Sequence, residues 1–200
     1  TFSYELADSS IVHVELNDRL LQLFPVPDGN GVSELILTAS NPTRATVSDT
    51  VQVTVFAVND APVLFAPDSI VMDEDQTFEL MSMSELAEEG ILADVDNGLE
   101  ELSFELYTDN EQIHVEWDGD LSSNPLLVPI PDYYGTGLLT LCVDDGEYTV
   151  CGENGITVDP VNDAPTFVSE MHATVGLNFD FHVPIYVDDI DSDSLTVSFP

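Results

Sequence analysis

The chain contains no lysine and only two arginines, Arg19 and Arg44, against 39 acidic residues, giving a formal net charge of −37 over 200 residues. Such a surface excludes nucleic acid as a partner, because a phosphate backbone would meet carboxylates wherever it docked. It also leaves the acids without internal counter-charges, so self-repulsion opposes the compact state unless cations are recruited from solution. Cysteine is nearly absent, with Cys142 and Cys151 the whole complement. No grouping of Cys or His in the sequence offers zinc or a transition metal a ligand set. No apolar run approaches the roughly 18 residues of a membrane span, and no secretory leader is present in this window. The composition is nevertheless not that of a disordered acidic tail, since 44% of residues are hydrophobic and the mean hydropathy is +0.08. Life in salty surroundings and divalent-cation binding both account for the charge. The grouping of acids at expected module ends favours the second.

What the chain does have is an internal repeat. Val58-Asn59-Asp60-Ala61-Pro62 recurs as Val161-Asn162-Asp163-Ala164-Pro165, 103 positions later. That spacing is about one small all-β domain, so the simplest organisation is an array of like modules. Further parallels support it: Phe2-Ser3-Tyr4-Glu5-Leu6 with Leu102-Ser103-Phe104-Glu105-Leu106, Val12–Leu16 with Ile113–Trp117, and Leu23–Asp28 with Leu127–Asp132. After Pro165 the pattern restarts, with Asp189-Ile190-Asp191 echoing Asp94-Val95-Asp96. The expected organisation is the C-terminal part of one repeat over 1–61, a complete repeat over 62–164 and the N-terminal part of a third over 165–200. The chain starts without Met and stops in mid-pattern, and is expected to be a window of a longer polypeptide.

The local signal is β throughout. In the complete repeat, short alternating runs predict strands near 68–72, 77–81, 102–108, 112–117, 125–131, 137–143 and 148–158. In Ile113-His114-Val115-Glu116-Trp117 the odd positions face the core and His114 and Glu116 face out, as His13 and Glu15 do in the other copy. One short helix is signalled at Ser82–Glu89, where Ser82 and Glu85 have capping-box spacing. The fold class is all-β: tandem immunoglobulin-like (cadherin-like) sandwich modules of about seven strands each.

The two VNDAP strings, the Glu74-Asp75 pair, the Asp-x-Asp motif, Pro131-Asp132-Tyr133-Tyr134-Gly135 and Val143-Asp144-Asp145-Gly146 together resemble cadherin-like tandem repeats of large extracellular proteins, including bacterial adhesins. The third segment also resembles the dystroglycan-type variant. The resemblance implies head-to-tail sandwich modules, Ca2+ at the junctions, and a place in surface attachment or fibre-like proteins. In such a sandwich, the linker entering a module shares one end with the loop before the third strand and the loop between the last two. The first junction should therefore gather Asn59 and Asp60 with Asp94, Asp96 and Asp144 or Asp145. The second should gather Asp159, Asn162 and Asp163 with Asp189 and Asp191, joined by Glu74 and Asp75 from the far end of the complete module. Calcium takes six to eight oxygens at about 2.3–2.6 Å, and each set supplies most of them. The sequence departs from the Asp-x-Asn-Asp-Asn of cadherin linkers, because Ala follows Asp60 and Asp163. An Asx-turn that merely shapes the linker is the alternative for these residues. An EF-hand is set aside, because Gly98 falls one place early after Asp94 and the flanks read as strands.

Cys142 and Cys151 bracket the 145–148 turn symmetrically, which suits either a cross-strand disulfide or two unpaired thiols packed as small apolar groups. The corresponding positions in the first repeat fall near Ala39 and Ser48. Catalysis finds no constellation: carboxylate pairs are too common here to be informative, and His13 and His114 repeat as a scaffold would. His172 and His182 read as strand or loop residues. Tyr133 and Tyr134 suit either sugar stacking or a tyrosine corner. The expected function is a non-catalytic structural or adhesive segment of a large extracellular or cell-surface protein, stiffened by Ca2+. Alternatives are a carbohydrate-binding module or an accessory region of an exported enzyme. Expected partners are neighbouring repeats of the same chain, and like chains in a fibre or cell-surface glycans.

Overall fold

The computed structural model describes residues 1–65, 69–168, 185–191, 195, 196 and 198. His172 and His182 lie outside these. The chain divides into two units, Thr1–Pro62 with Asp94–Gly98, and Val63–Ala93 with Leu99–Pro200.

The first unit is built from β1 (Phe2–Leu6), β2 (Val12–Asn17), β3 (Leu20–Pro25), β4 (Gly31–Ser40) and β5 (Thr46–Val55). β4 lies between β1 and β5 in one antiparallel sheet, and β2 pairs with β3 in a second. Alternation decides which side chains go inside. Val12 and Val14 are buried while His13 and Glu15 are exposed, as a period of two requires.

The second unit is assembled from β6 (Val63–Leu64), β7 (Ile70–Asp73), β8 (Phe78–Glu79), α1 (Met83–Glu88), β9 (Leu92–Ala93), β10 (Ser103–Thr108), β11 (Ile113–Glu116), β12 (Leu126–Pro129), β13 (Gly135–Asp144) and β14 (Thr149–Asp159), followed by β15 (Thr166–Phe167) and β16 (Val187–Asp188). One sheet has the order β10-β13-β14-β7 and the other β11-β12-β8, with the small pairs β6-β9 and β15-β16. The sheets enclose Ile70, Met72, Ile113, Leu127, Leu139, Ile156 and Val158. A second cluster of Met83, Leu86, Leu92, Leu102 and Val143 seats the helix. This is an all-β sandwich whose connections hold the six-residue α1 and a short 3₁₀ turn at Leu99–Glu101.

Two local features set the ends of this unit. β7 runs parallel to β14, with Asp73 opposite Asp159, and the Glu74 N–H extends that ladder by donating to the Asp159 carbonyl at 2.9 Å. At the other end of β7's excursion, Ser82 caps α1: its hydroxyl accepts the Glu85 N–H, and the Glu85 carboxylate accepts the Ser82 N–H at 2.8 Å. Across β13 and β14, Cys142 faces Cys151 and the two form a disulfide with a Cα–Cα distance of 4.0 Å. In the first unit Ser48 faces Thr38 and not Ala39, and their hydroxyls hydrogen-bond at 2.8 Å. The hairpin register there is offset by one residue, so the repeat's own geometry does not call for a bridge.

Candidate metal centre

The acids after β7 are placed by the ladder that precedes them. Because the Glu74 backbone is tied to Asp159, its side chain turns inward, and it is 1% exposed. Its Oε1 accepts the Val161 N–H at 2.7 Å, and its Oε2, equally buried, has no hydrogen-bond partner. A buried carboxylate is normally compensated by a cation or by several donors. Neither arginine of the chain belongs to this unit.

Asp163 comes from the linker after β14, and its N–H donates to Asp191 Oδ2 at 2.5 Å. Its own Oδ2 is buried and has no hydrogen-bond partner. Glu74, Asp163 and Asp191 each present an oxygen within 4.8 Å of the others. A second trio, Asp75, Asp132 and Asp163, meets the same distance, so Asp163 belongs to both. Asp132 occupies the turn between β12 and β13, and its N–H donates to Asp75 Oδ1 at 3.1 Å. Asp75 and Asp132 both take left-handed backbone conformations, at φ 59° and 60°. Aspartate tolerates that region better than most residues, and the turns so formed aim both carboxylates at the linker. Burial, then the negative charges of Asp191, Asp132, Asp75 and Glu74, push the Asp163 carboxyl above its ordinary value.

These two trios, which share Asp163, could hold a hard cation. The donor set is all oxygen, which suits calcium or magnesium and neither zinc nor copper. Calcium, bound there, would offset part of the cluster's negative charge and tie the turn after β7, the turn before β13 and the linker to one centre. Glu74, Asp75, Asp132, Asp163 and Asp191 would hold it.

The remaining expected ligands are placed as follows. Asn162 Nδ2 donates to the Asp163 carbonyl at 2.8 Å, and Asp189 Oδ1 accepts the Asp191 N–H at 3.1 Å. Both shape the loops that carry Asp163 and Asp191. Asp159 contributes its carbonyl to the ladder and keeps an exposed side chain. Asp144 Oδ1 accepts the Gly146 N–H at 3.0 Å and its Oδ2 accepts the Thr149 hydroxyl. Asp145 Oδ1 accepts the N–H groups of Glu147 and Tyr148, both at 2.7 Å. These two acids build their own hairpin, and neither enters a trio.

In the first unit the same motif recurs with fewer acids. The Asp60 N–H donates to Asp96 Oδ2 at 2.8 Å, matching Asp163 and Asp191. Asp94 Oδ1 accepts the N–H groups of Asp96 and Asn97, each at 2.8 Å, while Asp94 Oδ2 and Asn97 Oδ1 are buried with no hydrogen-bond partner. Asn59 Nδ2 donates to the Asp60 carbonyl at 3.3 Å. Asp28, at φ 60° like Asp132, shares a recess of 150 Å³ with Asp60 and Asp96. Among the described residues, no three acids here meet the 4.8 Å distance.

Asp132 and Asp28 are the acids that sequence reasoning missed. The signal was present, since Pro27-Asp28 and Pro131-Asp132 occupy the same repeat position. What it lacked was the knowledge that this turn lies at the same end as Glu74.

No protein-family model and no curated protein matches the chain. Among solved structures, it is similar to human protocadherin-24 EC1-2, at 14% identity and a TM-score of 0.46 over 82% of this chain and 83% of that one. Drosophila N-cadherin EC1-4 is similar at 18% identity and a TM-score of 0.45, over 80% of this chain and 41% of that one. An endo-fucoidan hydrolase from glycoside hydrolase family 107, MfFcnA4, is similar at 14% identity and a TM-score of 0.37. The match takes in 84% of this chain but spans 26% of the hydrolase's length. At these identities and TM-scores the likenesses carry no conclusion about this chain.

Proposed function

We propose that this chain is a non-catalytic structural or adhesive segment of an extracellular multi-module protein, in which calcium stiffens the junctions between modules. One observation carries the reading: Glu74 is buried with one oxygen lacking a hydrogen-bond partner, beside Asp163 and Asp191. A carboxylate is not kept in that condition for stability alone, because its desolvation is uncompensated. A divalent cation supplies the missing partner for Glu74 and Asp163 together. The disulfide suits an oxidising compartment, and no helix among the described residues is long and apolar enough to cross a membrane. The neighbouring repeats are the immediate partners, because the ligands come from the linker and from both sides of it in sequence.

Thermal unfolding in chelator and in calcium, at 150 mM salt, is the test. With a dissociation constant of about 10⁻⁴–10⁻³ M, 10 mM calcium stabilises by roughly 1.4–2.7 kcal/mol. For a module of about 100 residues each kcal/mol moves the midpoint by about 4–8 °C, so a rise of roughly 6–22 °C is expected. An unchanged midpoint, together with an unchanged solution length by small-angle scattering, would refute the reading.

A further inference from the structure

The second unit holds a cavity that the metal centre does not use. It has a volume of 590 Å³ and opens between the two sheets beside α1. Protein interiors are close-packed, and voids far larger than a water molecule are uncommon in them. The wall is almost wholly apolar, with Leu64, Ile70, Phe78, Leu106 and Leu141 among its residues. Part of the space arises at Gly152, which lies opposite Leu141 in the β13–β14 register and offers no side chain to fill it. Glycine inside a strand is a recognised place for close approach by another group. Met81, exposed, and Met83, buried in the cluster that seats the helix, both line it and can adapt to an occupant.

The cavity does not open onto neutral surface. Glu79, Leu80 and Met81 line both it and an adjoining recess of 420 Å³, whose other walls are Glu85, Glu88, Glu89 and Asn124. Glu85 is occupied with the cap of α1, but Glu79, Glu88 and Glu89 are exposed. Glu88 and Glu89 sit at the C-terminal end of α1, which has no basic residue in its last turn. The helix dipole there favours a cation and disfavours a carboxylate.

We propose that these two joined spaces are a binding site for a small apolar ammonium compound, with its hydrocarbon body between the sheets and its charged head among Glu79, Glu88 and Glu89. The size fits the range of small-molecule sites, and an apolar chamber with a few convergent polar groups is the usual form of one. The head group is assigned by charge complementarity: three exposed carboxylates line one mouth. A carboxylate or phosphate head would be repelled there.

The test uses the full 200-residue chain in saturating calcium and 150 mM salt, with 4-phenylbutylammonium, 4-phenylbutan-1-ol and 4-phenylbutyrate as probes. Binding is followed at the methionine methyl resonances. Met81 and Met83 line the cavity, while Met72 belongs to the core cluster and serves as the internal reference. The expected result is a saturable shift of the Met81 and Met83 methyls by the ammonium compound, at least tenfold tighter than by the alcohol, and none by the carboxylate. The Glu79→Gln/Glu88→Gln variant should lose that tenfold advantage while binding the alcohol as before. An unshifted Met72 methyl shows that the variant remains folded. Equal affinity for alcohol and ammonium would overturn the assignment. So would ammonium binding that leaves both methyls unmoved, or no binding by any probe up to about 10 mM.

Discussion

Glu74→Gln separates a metal ligand from an ordinary buried acid, because its stabilising effect in chelator should shrink or disappear in calcium. In the wild type one carboxylate oxygen accepts the Val161 N–H, and the other is buried with no hydrogen-bond partner. An unsatisfied buried polar group costs about 1–3 kcal/mol, more where it is charged. Glutamine keeps the acceptor for Val161 and replaces the orphan oxygen with an amide donor, facing carboxylates that lack one. In chelator the variant should therefore unfold at a higher temperature, by roughly 4–24 °C at about 4–8 °C per kcal/mol. In 10 mM calcium the same variant loses a charged ligand and most of the roughly 1.4–2.7 kcal/mol that binding supplies. Its calcium-induced shift in midpoint should fall to a small fraction of the wild-type shift. Scanning calorimetry on both proteins in both conditions gives the four numbers needed. If the variant is destabilised equally with and without calcium, Glu74 is a packing residue and the centre is not a metal site.

The remaining predictions concern neighbouring residues. Asp132→Asn should weaken calcium binding about tenfold by titration calorimetry, whereas Asp145→Asn should leave it unchanged and instead raise hydrogen exchange at Glu147 and Tyr148. Glu85 is held below its ordinary value of 4.5, first by the Ser82 backbone N–H and then by the Ser82 hydroxyl. Its ionised form therefore adds stability above pH 4.5 that is lost as pH falls through the lower folded value. Glu85→Gln should flatten that acid limb in a pH series of thermal midpoints and leave calcium affinity unaffected. Replacing Cys142 and Cys151 by serine opens a loop with a sequence separation of 9. By loop-closure entropy this costs at most roughly 2.6 kcal/mol, read as a lower denaturant midpoint with an unchanged m-value.

Most of the fold was legible in the sequence because strands that are half buried write their period into their side chains. The seven expected strands of the complete repeat correspond to β7, β8 and β10–β14, and the Ser82–Glu85 spacing located α1. β6 and β9 were not legible, since each is two residues long and neither falls in a longer alternating run. The candidate centre was legible in part. Of the acids expected at this junction, Glu74, Asp163 and Asp191 lie within 4.8 Å of one another, while Asp75 falls in a second trio with Asp132 and Asp163. Asp132 escaped because the repeated Pro-Asp marks a turn but does not say that its amide reaches Asp75. The environment of each copy also escaped the sequence. Leu23 and Leu127 hold the same repeat position, yet one is 42% exposed and the other 0%. Burial depends on which strands cover a position, and that is not a property of the local string.

The pairing of β7 with β14 has a mechanical consequence. β7 is near the beginning of its unit and β14 near the end, and they run parallel with four registered pairs, Ile70–Asp73 against Ile156–Asp159. Tension applied along the polypeptide pulls these two strands past each other lengthwise. Their hydrogen bonds are then loaded in shear, all at once, and do not open one after another as in a peeled hairpin. The bond from Glu74 to Asp159 continues that clamp by one rung, to the edge of the acidic cluster. A cation held there would sit directly on the line of force.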